Sequence, residues 1–450
     1  MPGLRADGPA GQEGGPLSSS AFLLLASQVA GNTGYFVAVL LLARALEPAG
    51  RGEVAFITVT AMVTARCANL GLNEATRVFV AQRVTQRATL LTNLVLAVTA
   101  LSAGAALVVC GTLRALPGVR PPGIGSTQLV VLFFATLSTA LVYAGYTYLQ
   151  GCSRFRPYGL VQSTASWLYA VLLVASWVGP GLTPTRAASA WVASQALSVF
   201  VLLGACERGI GIRAPSVALL RESIGFCVRA WGGGMSHFLN ARTDQILTAL
   251  IASEATLGIY AVAVNASEVL FYLPTAVAAA LLPVVAREAG SHVAERTLRV
   301  FRAVVLVTAV ATALAAVVGP MLIPLVFGQA YRQSVGPFLW LLPSALGFAA
   351  SVTFSTALVA SDAPGLSSLG PAVSLISGIA LDLVLIPSYG ASGAAAAASA
   401  ALLAGGATAA TAYRTRAGFG WGALVPRAQD VRALHLLARR ALRWRAATAS

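Results

Sequence analysis

Four polar residues recur at helical spacing in one apolar stretch: Arg66, Asn69, Asn73 and Arg77. At 100° per residue they fall within about 80° of arc, with Glu74 on the border. Ionisable residues in hydrocarbon are costly and face a cavity or a partner, and arginine in such a stripe can hold an anion by charge-assisted hydrogen bonds. Guanidinium keeps its charge when buried, so Arg66, near the middle of the stretch, demands water, a carboxylate or an anionic ligand. A second stretch places Arg229, Gly233, Ser236, His237, Asn240 and Asp244 on one face. Arg242 points elsewhere on an ideal helix, toward outer water. Asn32 stands in the first apolar stretch, with Gln28 and Tyr35, and Tyr143 and Tyr146 stand in another, with Thr139, Thr147 and Gln150. The candidate cationic binding surface is therefore Arg66, Arg77, Arg229, Asn32, Asn69, Asn73, Asn240, Tyr143 and Tyr146. The carboxylates Glu74, Asp244, Glu268 and Asp382 are the candidates for charge pairing or ion coupling, and Glu268 could neutralise Arg66 or Arg229.

Each has a plainer reading. Amides and hydroxyls inside membrane helices commonly bond helix to helix. The Tyr143 stripe fits that role and substrate contact equally. Asp244 and Asp382 fit caps or arginine partners at outer helix ends. A lone His237 fits a packing residue better than a proton carrier. Arg66 and Arg229 resist such readings, because few carboxylates lie at their depth.

The elements that must position these residues are membrane helices. The chain has 450 residues, of which 57% are hydrophobic and 10% charged. Mean hydropathy is +0.78. A soluble surface needs roughly 25–35% charged residues. A soluble enzyme, a secreted disulfide scaffold and a nucleic-acid-binding domain are excluded, despite a net charge of +15. Cys67, Cys110, Cys152, Cys206 and Cys227 form no CxxC pair and read as small buried hydrophobes. No P-loop, HExxH or GxSxG motif is present, so no catalytic residue, metal site or cofactor is assigned.

Apolar runs place twelve helices near 19–42, 54–76, 89–111, 127–150, 159–179, 187–206, 224–251, 256–285, 300–327, 335–360, 366–387 and 391–413. The Gly/Pro-rich start carries no signal-peptide pattern. With the N-terminus cytoplasmic, 21 arginines fall on the cytoplasmic side and 6 outside, Arg44 and Arg51 among the latter. That bias puts both termini inside. The basic tail sets Val431, Leu434, Ala438 and Leu442 on one side of a helix that could lie against anionic headgroups, although ordinary positive-inside anchoring explains it more simply.

The halves align at an offset of 206, which carries Gly52 onto Gly258, Ala55 onto Ala261 and Gly159 onto Gly365. An even number of helices per repeat makes the repeats parallel. The expected organisation is a disordered segment 1–18, an N-lobe 19–206, a linker 207–223, a C-lobe 224–413 and a basic tail 414–450.

Several short motifs now resemble one family in order and spacing. They are GNTGYF at 31–36, LARALEPAGRGE at 42–53, LGLN at 70–73 and RTDQIL at 242–247. GIYAVA at 258–263, LVFG at 325–328, LDLVLIP at 381–387 and YGASGA at 389–394 complete the set, which spans about 20–413. Together they resemble bacterial polysaccharide flippases of the multidrug/oligosaccharidyl-lipid/polysaccharide exporter superfamily. That superfamily also holds the multidrug and toxin extrusion (MATE) exporters and lipid II flippases.

The resemblance implies an all-α, twelve-helix, V-shaped MATE-like transporter of two six-helix lobes. It implies transfer of an undecaprenyl-diphosphate-linked oligosaccharide between leaflets of the bacterial cytoplasmic membrane. It makes the chain a monomer with no catalytic activity, and polysaccharide polymerase and glycosyltransferases its candidate partners. A cationic cavity of the family suits Arg66 and Arg229 as diphosphate ligands. The alternative is a MATE-type cation-coupled drug antiporter, disfavoured because cavity arginines repel cationic drugs. A membrane polymerase or ligase would need a large polar loop. A lipid II flippase commonly has two extra helices.

Overall fold

The structure is a computed structural model. It describes residues 16–118, 120–207, 213–287, 292–361 and 363–427. Among these the chain is helical, and the long apolar runs explain why. No polar backbone can be left unpaired in hydrocarbon, and a helix satisfies its own. The helices are α1 (Pro16–Ala45), α2 (Pro48–Ala68), α3 (Leu72–Gln82), α4 (Arg87–Ala115), α5 (Ser126–Gly151), α6 (Phe155–Val178), α7 (Pro184–Glu207) and α8 (Val217–Asn240). There follow α9 (Thr243–Ile251), α10 (Glu254–Ser267), α11 (Tyr272–Arg287), α12 (His292–Phe327), α13 (Val335–Leu341), α14 (Ser344–Ala360), α15 (Pro364–Ser367) and α16 (Leu369–Ala417). Seven described helices are long and apolar enough to cross a membrane, or nine if each of two bent pairs is one span. The chain is a multi-pass membrane protein.

Several expected spans are broken rather than straight. The run at 54–76 divides into α2 and α3, bent by 57°. Leu70 (φ 47°) and Gly71 (φ 80°) both take the left-handed region there. Glycine tolerates that conformation, whereas leucine is strained in it. The run at 224–251 breaks between Asn240 and Thr243. The run at 256–285 tightens into a 3₁₀ turn at Glu268–Phe271. Gly390 (φ 54°, ψ −129°) turns the chain inside α16. The amphipathic tail helix, at 431–442, lies outside the described residues.

The halves meet most closely where α2 packs on α10. A Cβ at Gly52 would strike the carbonyl of Glu254, and one at Gly258 would strike that of Pro48. Both pairs of equivalents differ by 206. This reciprocal pattern is what an isologous two-fold contact produces. Side chains reinforce this end. Arg44 donates to the carbonyls of Leu325 and Val326 at 2.9 Å each. Tyr331, fully buried, donates to the Leu46 carbonyl at 3.0 Å. The Gly123 amide donates to Glu254 Oε1 at 2.5 Å. Buried clusters cross the same junction, with Leu257 and Ala261 among first-half residues and Val39 and Ala43 among second-half ones. Gly159 and Gly365 do not share a role. A Cβ at Gly159 would meet Ser27, whereas nothing lies within 4 Å of Gly365.

The opposite end holds a looser set of ties to α8. Asn93 and the Ser216 backbone exchange two hydrogen bonds, at 2.8 and 2.9 Å. Arg83 forms a two-pronged ion pair with Glu222. Those hydrogen bonds hold the Glu222 carboxyl below the usual carboxylate range.

Candidate functional site

The bend after α2 decides what the arginine stripe becomes. Arg66 ends α2 and points into the space between the halves. Its guanidinium lies 5.2 Å from the Tyr143 ring of α5 and 5.5 Å from the Phe238 ring of α8. The first is a same-half contact and the second crosses to the other half. Cation–π contacts of this kind contribute about 0.5–2 kcal/mol each and leave the guanidinium edge free. Glu74, past the bend, approaches Arg66 to 3.9 Å, with both side chains about 30% exposed. That is a loose pair. A ligand could displace it.

The rest of the stripe does not share this space. Asn69 and Asn73 are buried at the bend, and Asn73 finds no partner for either side-chain atom. Arg77 lies exposed on α3. The straight-helix expectation for the stripe is therefore corrected: the left-handed pair Leu70–Gly71 turns the second half of it away. Tyr146 stacks edge-on with Tyr158 at 5.1 Å, a packing contact. Asn32 is half-buried on α1. Arg229 belongs to α8, but its side chain, like that of His237, lies outside the described residues.

Arg242 departs from its expected outward direction. It sits at the break between α8 and α9, where no regular helix dictates its aim. Its Nη1 donates to Glu268 Oε1 at 2.8 Å, and both side chains are about three-quarters buried. Glu268 thus neutralises Arg242 rather than Arg66. Tyr143 lies within electrostatic reach of both Arg66 and Arg242. Tyr35 of α1 is within electrostatic reach of Arg242.

Behind Arg242 the second half encloses a cavity of about 100 Å³. Asn240, Asp244, Glu268 and Asp382 line it, with Ser267 and Ser344. Asp382 is 2% exposed, and its Oδ1 has no partner. Asp244 accepts from the Tyr260 hydroxyl and, at 2.7 Å, from the Gln245 amide. Asn240 Oδ1 accepts from Ser374 at 3.0 Å. Asp244 sits in the first turn of α9 and takes a backbone amide there, as expected of an acid at a helix end, whereas Asp382 lies inside α16, and among the described residues neither forms an ion pair with arginine. An unpaired buried carboxylate is costly. A bound proton or small cation offsets that cost. Among the described residues, no group of three or more His, Cys, Asp or Glu side chains has the geometry to hold a metal ion.

Phe238, Tyr260 and Ser374 escaped the sequence reading. Phe238 and Ser374 look like ordinary span residues in one dimension. Tyr260 had a signal, since it sits two residues after Gly258 in the repeat. Arg51, counted among the outside arginines, is only 4% exposed.

A family model described as "Polysaccharide biosynthesis protein" matches residues 41–336. Among solved structures, the lipid II flippase MurJ in an inward closed conformation is similar, with a TM-score of 0.72 at 11% identity, covering 88% of this chain and 87% of that one. An inward-facing MATE family multidrug resistance transporter of the MOP superfamily gives a TM-score of 0.69 at 14% identity, covering 86% of this chain and 94% of that one. An outward-facing MATE structure gives 0.57 at 14% identity, covering 90% and 97%. At equal identity, the inward-facing form superposes better. A search of curated proteins finds no match.

Proposed function

The chain belongs to the polysaccharide biosynthesis protein family, and from that premise we propose that it is a flippase. Its substrate is an undecaprenyl-diphosphate-linked oligosaccharide. It moves that lipid from the inner to the outer leaflet of the bacterial cytoplasmic membrane, for assembly of a surface polysaccharide. A polymerase and glycosyltransferases act beside it.

One observation carries the reading: Arg66 lies between an aromatic ring of each half, with only a loose carboxylate partner. A diphosphate cannot cross hydrocarbon unaided, because desolvating its charge is prohibitive. An arginine edge held in a polar space between two bodies offsets that cost. Arg66 is the first anion ligand. Arg242 is the second, once an anion competes with Glu268. Tyr143 and Asn240 border the path, and Arg229, Arg77, Asn32, Asn69, Asn73 and Tyr146 remain lesser candidates. Rocking of lobes 19–206 and 224–413 about the Gly52–Gly258 contact alternates access. The full reading has twelve spans, both termini cytoplasmic, the 207–223 linker inside and the basic tail against anionic headgroups.

The acid cavity favours cation or proton coupling through Asp244 and Asp382, with Glu268 and Glu74 as exchangeable charge partners. The same cavity is what a MATE-type antiporter would use. A deletion strain separates the two readings. Extracted lipids are examined by mass spectrometry while surface glycan is measured in parallel. Accumulated full-length lipid-linked oligosaccharide with lost surface glycan supports the flippase. Unchanged glycan with altered sensitivity to cationic drugs rejects it in favour of the antiporter.

A further inference from the structure

Arg44, Arg114, Arg186 and Arg332, counted on the outer side with Arg51, are all exposed. Arg51 is 4% exposed. It lies in the first turn of α2, where the positive end of the helix dipole works against a cation. Guanidinium cannot shed its charge, and an unmatched buried charge is costly. Other buried arginines are matched. Arg242 has Glu268, and Arg302, also 4% exposed, donates to the Ala423 carbonyl at 2.9 Å. Arg51 has no such match. Among the described residues it forms no ion pair, and its Nε finds no hydrogen-bond partner. The carboxylates nearby are engaged elsewhere. Glu47 is exposed, Glu53 rests against Gly123, and Glu254 accepts from the Gly123 amide at 2.5 Å.

A second unmet donor stands beside it. Tyr169 of α6 is 4% exposed, and its hydroxyl has no partner. It is within electrostatic reach of Arg51. The two sit at an apolar cluster that includes Leu46, Leu173, Ala188 and Trp191. The second half is close by. Tyr331, which donates to the Leu46 carbonyl across the seam between the halves, is also within electrostatic reach of Arg51.

We propose that Arg51 Nε and the Tyr169 hydroxyl hold a small anion of the size of chloride, and that its binding tightens the outer junction between the halves. One N–H of a cation and one O–H, brought together from two helices, complement a single acceptor of negative charge. The anion neutralises the buried guanidinium, which no protein carboxylate does. A monatomic ion fits better than phosphate, whose charge exceeds what one guanidinium offsets and whose oxygens ask for more donors. The neutralised pair lies beside the Tyr331–Leu46 bond, so an anion bound here favours the arrangement in which that bond is made. This site stands whatever the halves carry.

The test uses the purified full chain in nanodiscs. Its thermal midpoint is followed as sodium gluconate is replaced by sodium chloride at fixed ionic strength, so that general screening stays constant. The midpoint should rise with chloride as for a ligand that binds the folded state alone, and bromide should act in its place. Arg51→Leu should remove this rise and keep or raise the midpoint in gluconate, since an unmatched buried charge is replaced by an apolar group. Tyr169→Phe keeps the ring and removes only the hydroxyl. It should raise the half-effective chloride concentration about tenfold, the worth of one hydrogen bond to a charged group. Hydrogen exchange over 252–262, in the second half, should slow in chloride for wild type and not for Arg51→Leu.

Equal wild-type midpoints in the two salts would overturn the proposal. So would an equal chloride response in all three proteins, which marks a general salt effect. A midpoint lowered alike in both salts by Arg51→Leu would make the guanidinium a structural group and reject the site. Chloride dependence that arises only in Glu47→Gln would do the same, because Glu47 would then hold Arg51 in the wild type.

Discussion

The two halves share a frame and divide the chemistry. In the first half, Arg66 is held by aromatic rings and loosely by Glu74 at 3.9 Å. In the second, Arg242 is bound to Glu268 at 2.8 Å, and Asp244 and Asp382 lie behind it. At the offset of 206, Glu268 answers to Met62, Asp244 to Ala38, Asp382 to Ser176 and Arg66 to Tyr272. No charged pair repeats. What does repeat is the glycine contact at Gly52 and Gly258, where only a missing side chain lets the helices touch. The difference teaches a separation of duties. The symmetric part is the glycine contact, one half holds an arginine with only a loose carboxylate partner, and the other holds buried carboxylates.

The strongest break of this comparison is at Arg66. Arg66→Ala should lower leaflet transfer by about ten- to hundredfold, the worth of a charge-assisted bond of about 1.5–3 kcal/mol. Membrane insertion should be unchanged on a blot of the membrane fraction. Arg66→Lys should recover only part of the loss, since lysine lacks the planar fork.

The shared frame is tested by overpacking it. Gly52→Leu and Gly258→Leu should each disturb the α2–α10 contact, at a cost of about 1–3 kcal/mol. The two variants should lower the thermal midpoint of purified protein by similar amounts. A large asymmetry between them would break the two-fold account.

The division of duties sharpens at Asp382. Asp382→Asn should abolish any dependence of transfer on a proton or sodium gradient while leaving polyprenyl-diphosphate binding within about threefold, a shift of under 1 kcal/mol. Equal loss of binding would place the carboxylate in the substrate path instead.

The smallest effect belongs to Arg83–Glu222. This pair is exposed, so Arg83→Ala should change transfer only slightly. Its pH response has a definite sign. The Glu222 carboxyl is lowered in the folded state, so the pair contributes above the ordinary carboxylate range near 4.3 and fades as pH falls through the lowered value. Thermal midpoints of wild type and Arg83→Ala should therefore run parallel between about pH 6 and 8.

Much of this fold was legible in one dimension because hydrocarbon leaves few options. Apolar runs become helices, and α4, α5, α6 and α7 cover the runs near 89–111, 127–150, 159–179 and 187–206. The repeat was legible through Gly52 and Gly258, where sterics fix the residue type. The site was legible by residue type and illegible by direction. Arg66 and the acids Asp244, Glu268 and Asp382 stand out because charge in a span is rare. A 100° rule assumes unbroken helices, and it failed where helices break. Leu70–Gly71 sent Arg77 away from Arg66, and the α8–α9 break turned Arg242 inward. Contacts across the halves, such as Phe238 on Arg66, leave no mark in local sequence at all.

The central claim is that Arg66 carries a diphosphate-linked glycan across the seam. The most direct measurement uses proteoliposomes loaded with a polyprenyl-diphosphate-linked oligosaccharide. A membrane-impermeant glycosidase reports how much substrate has reached its leaflet. Wild-type protein should expose the protected fraction with time, and Arg66→Ala should expose it about ten- to hundredfold more slowly. Equal transfer by wild type and Arg66→Ala, or no transfer above empty liposomes by folded wild type, would contradict the account.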